Sequence, residues 1–132
     1  MKIYIAVRYK GLENKTEIEV LCAAVSAAEM EVFCFVRDIE HYQHTFDDPK
    51  ELWQNIVKEI TDCDALLIDV SDSPSGGRVV EAGIAYALGK PIFVVVKKGV
   101  TYKGLYDGIS TLVIPFETLD DVTVALTTYT TI

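Results

Sequence analysis

Five short runs rich in β-branched and aromatic residues alternate along the chain with segments whose apolar residues recur every three or four positions, and the central runs are apolar almost throughout. These observations predict an α/β fold, a flavodoxin-like or Rossmann-like open parallel five-stranded sheet with helices on both faces. The 132 residues, half of them apolar, are enough to bury one real core. Two independent domains would each be marginal, so residues 1–132 are read as a single domain.

The elements follow in order. Lys2 to Tyr9, KIYIAVRY, suits a first strand that Gly11 and Asn14 interrupt. From Thr16 to Met30 the positions Ile18, Leu21, Cys22, Val25 and Ala28 keep helical spacing, and Glu31 to Val36 reads as a second strand. Between Arg37 and Asp48 the pattern dissolves into IEHYQHTFDD, too long for a turn and therefore a candidate lid or binding loop. Asp48 then caps a helix with Pro49 at its first position, where a missing N–H costs nothing, and Leu52, Ile56 and Ile60 form its stripe with Trp53 and Val57.

Ala65 to Val70, ALLIDV, is the continuous apolar run expected of a strand covered on both faces. A loop from Ser71 to Gly77 leads into a helix from Arg78 to Leu88, with Gly89 suited to a left-handed C-terminal cap. Pro91 to Val96 is another buried strand. A loop from Lys97 to Gly108, a strand from Thr111 to Pro115 and a helix from Leu119 to Thr128 complete the chain.

Twelve basic against twenty acidic residues leave a formal charge of -8, which opposes attraction to nucleic-acid polymers or anionic membranes, so any bound phosphate must be held by a local site. No apolar run approaches the roughly 20 residues that span a bilayer, and the chain opens directly into a strand pattern, so a cytoplasmic location is expected. Cys22, Cys34 and Cys63 are odd in number, lie within apolar patterns and lack metal-site spacing, and are read as buried thiols. His41 and His44 form an HxxH pair without the carboxylate or thiol partners a metal would need, so no metal is expected. With Tyr42 and Phe46 they are read either as the border of a pocket for an aromatic ligand or as a solvated loop.

Open parallel sheets bind ligands beyond the carboxyl ends of their strands. Three places qualify: Arg8 and Tyr9, the segment from Asp69 to Glu81, and the loop from Lys97 to Tyr106. In DVSDSPSGGRVVEAG the small residues Ser73, Ser75, Gly76 and Gly77 precede a helix start, where free N–H groups and the helix dipole favour an anion. The same residues would also serve an ordinary strand-to-helix turn. The segment lacks the lysine of a P-loop and the full GxGxxG fingerprint, so no cofactor is expected. Glu81 lies one turn into the otherwise apolar helix VVEAGIAYAL, where a carboxylate is costly unless used or paired. Asp69 and Asp72 lie close by in sequence, and such a cluster can divide acid and nucleophile roles among its members.

The run Asp69-Val70-Ser71, then Pro74-Ser75-Gly76-Gly77, Glu81, Gly83, Ala85 and Gly89-Lys90-Pro91 resembles the nucleoside 2-deoxyribosyltransferase superfamily, and most closely its 2'-deoxynucleoside 5'-phosphate N-hydrolase branch. The opening strand KIYIAVRY resembles that family's nucleotide-binding start. The resemblance implies an N-glycosidase in which Glu81 attacks the anomeric carbon and forms a glycosyl ester, with Tyr4 near the sugar; Asp69 and Asp72, close to Glu81 in sequence, are the further candidate catalytic residues. It further implies that Arg8, Ser75 and Gly77 hold a 5'-phosphate; Gly76, from the helix-start reading, and His41, from the loop reading, join them as candidate substrate-binding residues. A nucleoside or nucleoside monophosphate is then the expected partner, within a homodimer or higher homo-oligomer whose neighbour site is approached by Tyr102, Tyr106 or Ser110.

Two departures from the family pattern matter. The aspartate that usually helps protonate the leaving base aligns with Ile56, which leaves Asp69, Asp72 or Glu59 as replacements. The chain ends TTYTTI without the asparagine common in the transferase branch, which points to hydrolysis. The alternatives are base exchange by a transferase, or an inactive nucleotide-binding module. A phosphoribohydrolase motif, PGGxGTxxE, fits PSGGRVVE poorly because the glycine-to-glutamate spacing is too short.

Overall fold

A computed structural model describes every residue except Ser75, Lys103 and Ile132. The strands are β1 (Lys2–Ala6), β2 (Glu31–Phe33), β3 (Ala65–Asp69), β4 (Ile92–Lys97) and β5 (Leu112–Phe116). The helices are α1 (Leu12–Ser26), α2 (Phe35–Asp38), α3 (Pro49–Asp62), α4 (Gly77–Ala87) and α5 (Leu119–Thr130), with a 3-10 turn at Gly104–Gly108. The five strands form one sheet in the order β2-β1-β3-β4-β5 with every neighbouring pair parallel, which is the doubly wound architecture expected. Its order reverses between β1 and β3, where Tyr4 pairs with Leu66, and that is the point at which such sheets open a crevice.

Side chains alternate across the pleat and divide the core in two. Ile3, Ile5, Leu67, Phe93 and Val95 pack toward α1 and α5. Tyr4, Ala6, Leu66, Ile68 and Val94 pack with Ile56, Ile60, Ala82 and Ala85 of α3 and α4. All three cysteines are free and buried. Among the described residues no helix is long and apolar enough to cross a membrane.

Helix signals with a stated mechanism translate directly into structure. Asp48 accepts the N–H of Lys50 at 3.0 Å ahead of Pro49. Gly89, at φ 73°, closes α4 with N–H bonds from Gly89 to the Tyr86 carbonyl and from Lys90 to the Ala85 carbonyl, both 3.0 Å, the paired bonds of a Schellman end.

Four boundaries differ from the sequence reading by three residues or more. β1 stops at Ala6, and α1 spans Leu12–Ser26 instead of Thr16 to Met30. Gly11 (φ 81°) turns the chain there, while Asn14 acts inside the first helical turn, accepting the Lys10 N–H at 2.7 Å and donating to the Arg8 carbonyl at 2.5 Å. What read as a breaker therefore ties the loop down. β2 ends at Phe33 instead of Val36, and the next residues coil into α2. The Asp38 carboxylate reaches back to the Cys34 N–H (2.9 Å) and to Arg37, which also donates to the Val32 carbonyl at 3.2 Å. A four-residue helix is shorter than any window in which periodicity can be read.

Candidate active site

α4 starts over the sheet's switch point from Gly76, whose φ of 59° suits glycine. Among the described residues no side chain caps this helix start, and helix-start amides of this kind are suited to an anion. A methyl group built on Gly77 would stand 3.9 Å from both Glu81 Oε1 and Trp53 Cη2, which places the loop directly above the carboxylate and the upper part of α3. One turn further, Glu81 lies only 7% exposed, beside the buried Ala82 and Ala85. Tyr4, fully buried in the middle of β1, donates its hydroxyl hydrogen to Glu81 Oε2.

Burial raises the Glu81 carboxyl from its ordinary 4.5 to about 7, while the Tyr4 hydrogen bond and the Arg78 charge hold it back and the nearby charge of Glu40 adds to the rise. Burial, and then the adjacent carboxylate, push the Tyr4 hydroxyl far upward, so it remains a donor. The pair therefore presents one carboxylate oxygen fixed by Tyr4 and another free to act, with ionisation poised near neutrality. Tyr4→Phe is expected to remove that restraint and move the acid limb of kcat/KM above pH 7, because the ionised form loses its hydrogen bond. A pH–rate profile measures the displacement.

Two cavities flank the carboxyl ends of β1 and β3. The one containing Glu81, about 470 Å³, is lined by Val7, Arg8, Gly76, Gly77, Arg78 and Glu81. The other, about 530 Å³, reaches across the opposite face past Asn14 and Asp69 to Thr118, and shares Val7, Arg8 and Arg78 with the first. Although slightly smaller, the first cavity is the one that holds the buried carboxylate.

Arg78 forms part of the wall between the two. It is 7% exposed, its Nη1 lies 2.9 Å from Asp72 Oδ1, and among the described residues its buried Nε has no partner. Three residues ahead of Glu81 in an apolar helix, it carried in sequence the same signal that singled out Glu81, an unexplained charge on a core-facing segment.

The predicted residues distribute as follows. Glu81, Tyr4, Arg8, Gly76 and Gly77 come together around the smaller cavity, and Ser75 lies outside the described residues. Asp69 and Asp72 do not join the Glu81 cluster. Asp69 has the opposite strand parity from Ile68, faces the larger cavity and accepts the Ser71 N–H at 2.9 Å. Asp72 is exposed; partial burial alone would raise its carboxyl, but Arg78 and Lys10 (3.6 Å) hold it below the ordinary value, so it is an ionised partner for Arg78.

His41 is exposed at φ 50° and lines neither cavity. Beside it Tyr42 turns toward α1, bonding Glu19 and packing on Tyr9. Ile56 is a buried core residue packed with Tyr4 and Leu66 in the same half of the core. Tyr106 reaches the Pro74 carbonyl at 3.3 Å, whereas Tyr102 and Ser110 bond Asp107 locally.

Fold and site thus define a class: a doubly wound α/β protein with a buried, tyrosine-bound glutamate at the switch point of its sheet. A sequence model described as nucleoside 2-deoxyribosyltransferase matches residues 3–124, and the chain belongs to that enzyme family. Among solved structures it is similar to the CMP N-glycosidase BcmB of Clostridium botulinum, at 22% identity over 98% of this chain and 99% of that one, with a TM-score of 0.71. It is also similar to the 2-deoxyribosyltransferase of Bacillus psychrosaccharolyticus, at 20% identity over 96% of each chain and a TM-score of 0.76. A further match is the 2-desoxiribosyltransferase of Leishmania mexicana, at 21% identity over 72% of this chain and 63% of that one, with a TM-score of 0.57. No curated protein sequence matches.

Proposed function

We propose that this enzyme cleaves the N-glycosidic bond of a (deoxy)nucleoside 5'-monophosphate through a covalent glycosyl-Glu81 intermediate, releasing free base and sugar phosphate. The observation that carries the reading is the buried Glu81 carboxylate, steadied by Tyr4 and opening into a cavity whose other walls are Val7, two arginines and glycine backbone. Attack on C1' breaks the C1'–N bond, and water then opens the ester with overall retention. Arg8, Arg78 and the amides of Gly76 and Gly77 are donors suited to a phosphate dianion. Carboxylate attack of this kind requires neither metal nor redox cofactor.

Incubation with ribo- and deoxyribonucleoside monophosphates and their unphosphorylated nucleosides, followed by chromatography, tests the reading. Free base together with sugar phosphate is expected; no turnover of any substrate would leave only a nucleotide-binding module. Base exchange is the second reading, favoured by the family the sequence model describes, and added free base incorporated into new nucleoside would reveal it.

The oligomer belongs to the same proposal. α4 exposes Val79, Val80 and Tyr86, and α3 exposes Val57, apolar side chains suited to a second copy of this chain. Val80→Glu is expected to lower the mass seen by light scattering without unfolding the protein.

A further inference from the structure

The proposed reaction occupies only one of the two cavities. Val7, Arg8 and Arg78 line both, so the Glu81 cavity and its larger neighbour meet at the two arginines suited to the 5'-phosphate. The two lie toward opposite faces of the sheet at its switch point between β1 and β3. One holds Glu81 on the Tyr4 side, and the other lies over Ile18 and Phe116 of the α1 and α5 side. In open α/β sheets a switch point is where a two-part ligand can cross from one half-site to the other. Volumes of about 470 and 530 Å³ both fall in the range of about 300–1,000 Å³ that takes a small organic ligand.

The larger cavity carries cations that the protein itself leaves uncompensated. In a chain of net charge -8, no ion pair among the described residues includes Arg8 or Lys97. The buried Arg78 Nε likewise has no partner among them. Of the four carboxylates on this lining, Asp72 is paired with Arg78 and Lys10, and Glu117 with Lys98 at 3.6 Å. Glu17 is exposed on α1. Asp69 remains: half-buried at the end of β3, it accepts the Ser71 N–H on Oδ1, and its Oδ2 is an acceptor suited to a ribose diol. Cations therefore stand at the junction and beyond it, together with one acceptor for neutral hydroxyls.

We propose that the two cavities form one site for a dinucleotide, two nucleosides joined through a 5',5'-diphosphate. The diphosphate straddles Arg8 and Arg78, the reacting nucleoside faces Glu81, and the second nucleoside enters the larger cavity with Lys97 toward its phosphate and Asp69 toward its ribose diol. The assignment rests on the N-glycosidase reading above and extends its substrate beyond the monophosphate. A diphosphate suits the junction because each phosphoryl group carries a negative charge and the two guanidinium groups offer planar sets of donors, one to each. The bond changes stay at the sugar. A Glu81 oxygen bonds C1' as the C1'–N bond breaks and its electron pair leaves with the base; water then displaces Glu81 from C1'. One water is thereby added across the C1'–N bond, its hydroxyl on C1' and its proton on the base, and the diphosphate stays intact.

The test compares matched substrates that share a leaving base: AMP with diadenosine 5',5'-diphosphate, and CMP with its 5',5'-diphosphate conjugate to adenosine, each in ribo and 2'-deoxy form. In a pair that reacts, the dinucleotide is expected to show a kcat/KM about tenfold or more above that of the monophosphate, the effect of one added hydrogen bond to a charged group. Thr16 is exposed on α1 and lines the larger cavity but not the Glu81 cavity. Thr16→Trp fills that space and should abolish the difference within each pair, and Lys97→Ala, which removes only a cation, should reduce it. Equal thermal midpoints for the three proteins exclude misfolding. A wild-type protein that cleaves a monophosphate but its dinucleotide no faster would overturn the assignment and leave the N-glycosidase reading intact. So would an advantage that survives both substitutions in folded protein. Failure to cleave any member of either pair would overturn both.

Discussion

Glu81→Gln is expected to abolish turnover and, in the same molecule, to raise stability above neutral pH. The amide cannot form the glycosyl ester, and removal of a nucleophile typically lowers kcat by at least about 10⁴-fold. Its carbonyl can still accept the Tyr4 hydrogen, so the buried tyrosine keeps a partner. The stability effect follows from linkage. The folded-state value of Glu81 is raised from 4.5 to about 7, so its contribution is fully present below pH 4.5 and is lost as pH rises through 7, where the folded protein must hold a buried anion. A displacement of that size corresponds to about 3 kcal/mol. Denaturant melts should show little difference between wild type and variant at pH 4.5 and a gain of two to three kcal/mol at pH 8, on the same order-of-magnitude basis. A variant no more stable at pH 8 than wild type would mean that the carboxylate is solvated, and the electrostatic account of the site would fail with it.

Arg78→Met should act on substrate binding and on the nucleophile together. The side chain is buried between both cavities, one nitrogen occupied by Asp72, and a hydrogen bond to a charged group contributes about 1.5–3 kcal/mol. Losing it is expected to raise KM for a nucleoside monophosphate by about 10- to 100-fold, with little change for the unphosphorylated nucleoside. Because the guanidinium also lowers the Glu81 carboxyl, its removal should move the acid limb of kcat/KM to higher pH. Asp72→Asn keeps that charge, so it should loosen binding with a smaller displacement of the limb. Steady-state kinetics on the paired substrates decides the first point, since an equal rise in KM for both would show that Arg78 only shapes the loop.

How far the site could be read in advance depended on whether a residue's neighbours are set by the chain or by the fold. Glu81 was legible because an acidic residue on the core-facing stripe of an apolar helix is a local contradiction, visible without coordinates. The Gly76-Gly77 turn was legible as small residues ahead of a helix start, Tyr4 was reached through family resemblance, and the geometry then showed the tyrosine hydroxyl on the carboxylate. Asp69 misled for the opposite reason: closeness in sequence suggested a cluster, whereas the pleat turns Asp69 to the face away from Glu81.

Sequence alone determined the alternation of strands and helices, the parallel sheet, the caps of α3 and α4 and the oddity of Glu81, because each depends on residues within one or two helical turns of one another. Tertiary structure decided which charges share a cavity: Tyr4 and Glu81 are 77 positions apart and bonded, while Asp69 and Ile68 are adjacent and face opposite sides of the sheet. The physical reason is that strand pairing and helix docking set distances across the crevice, and the electrostatics of a buried carboxylate depend on those distances and not on separation along the chain.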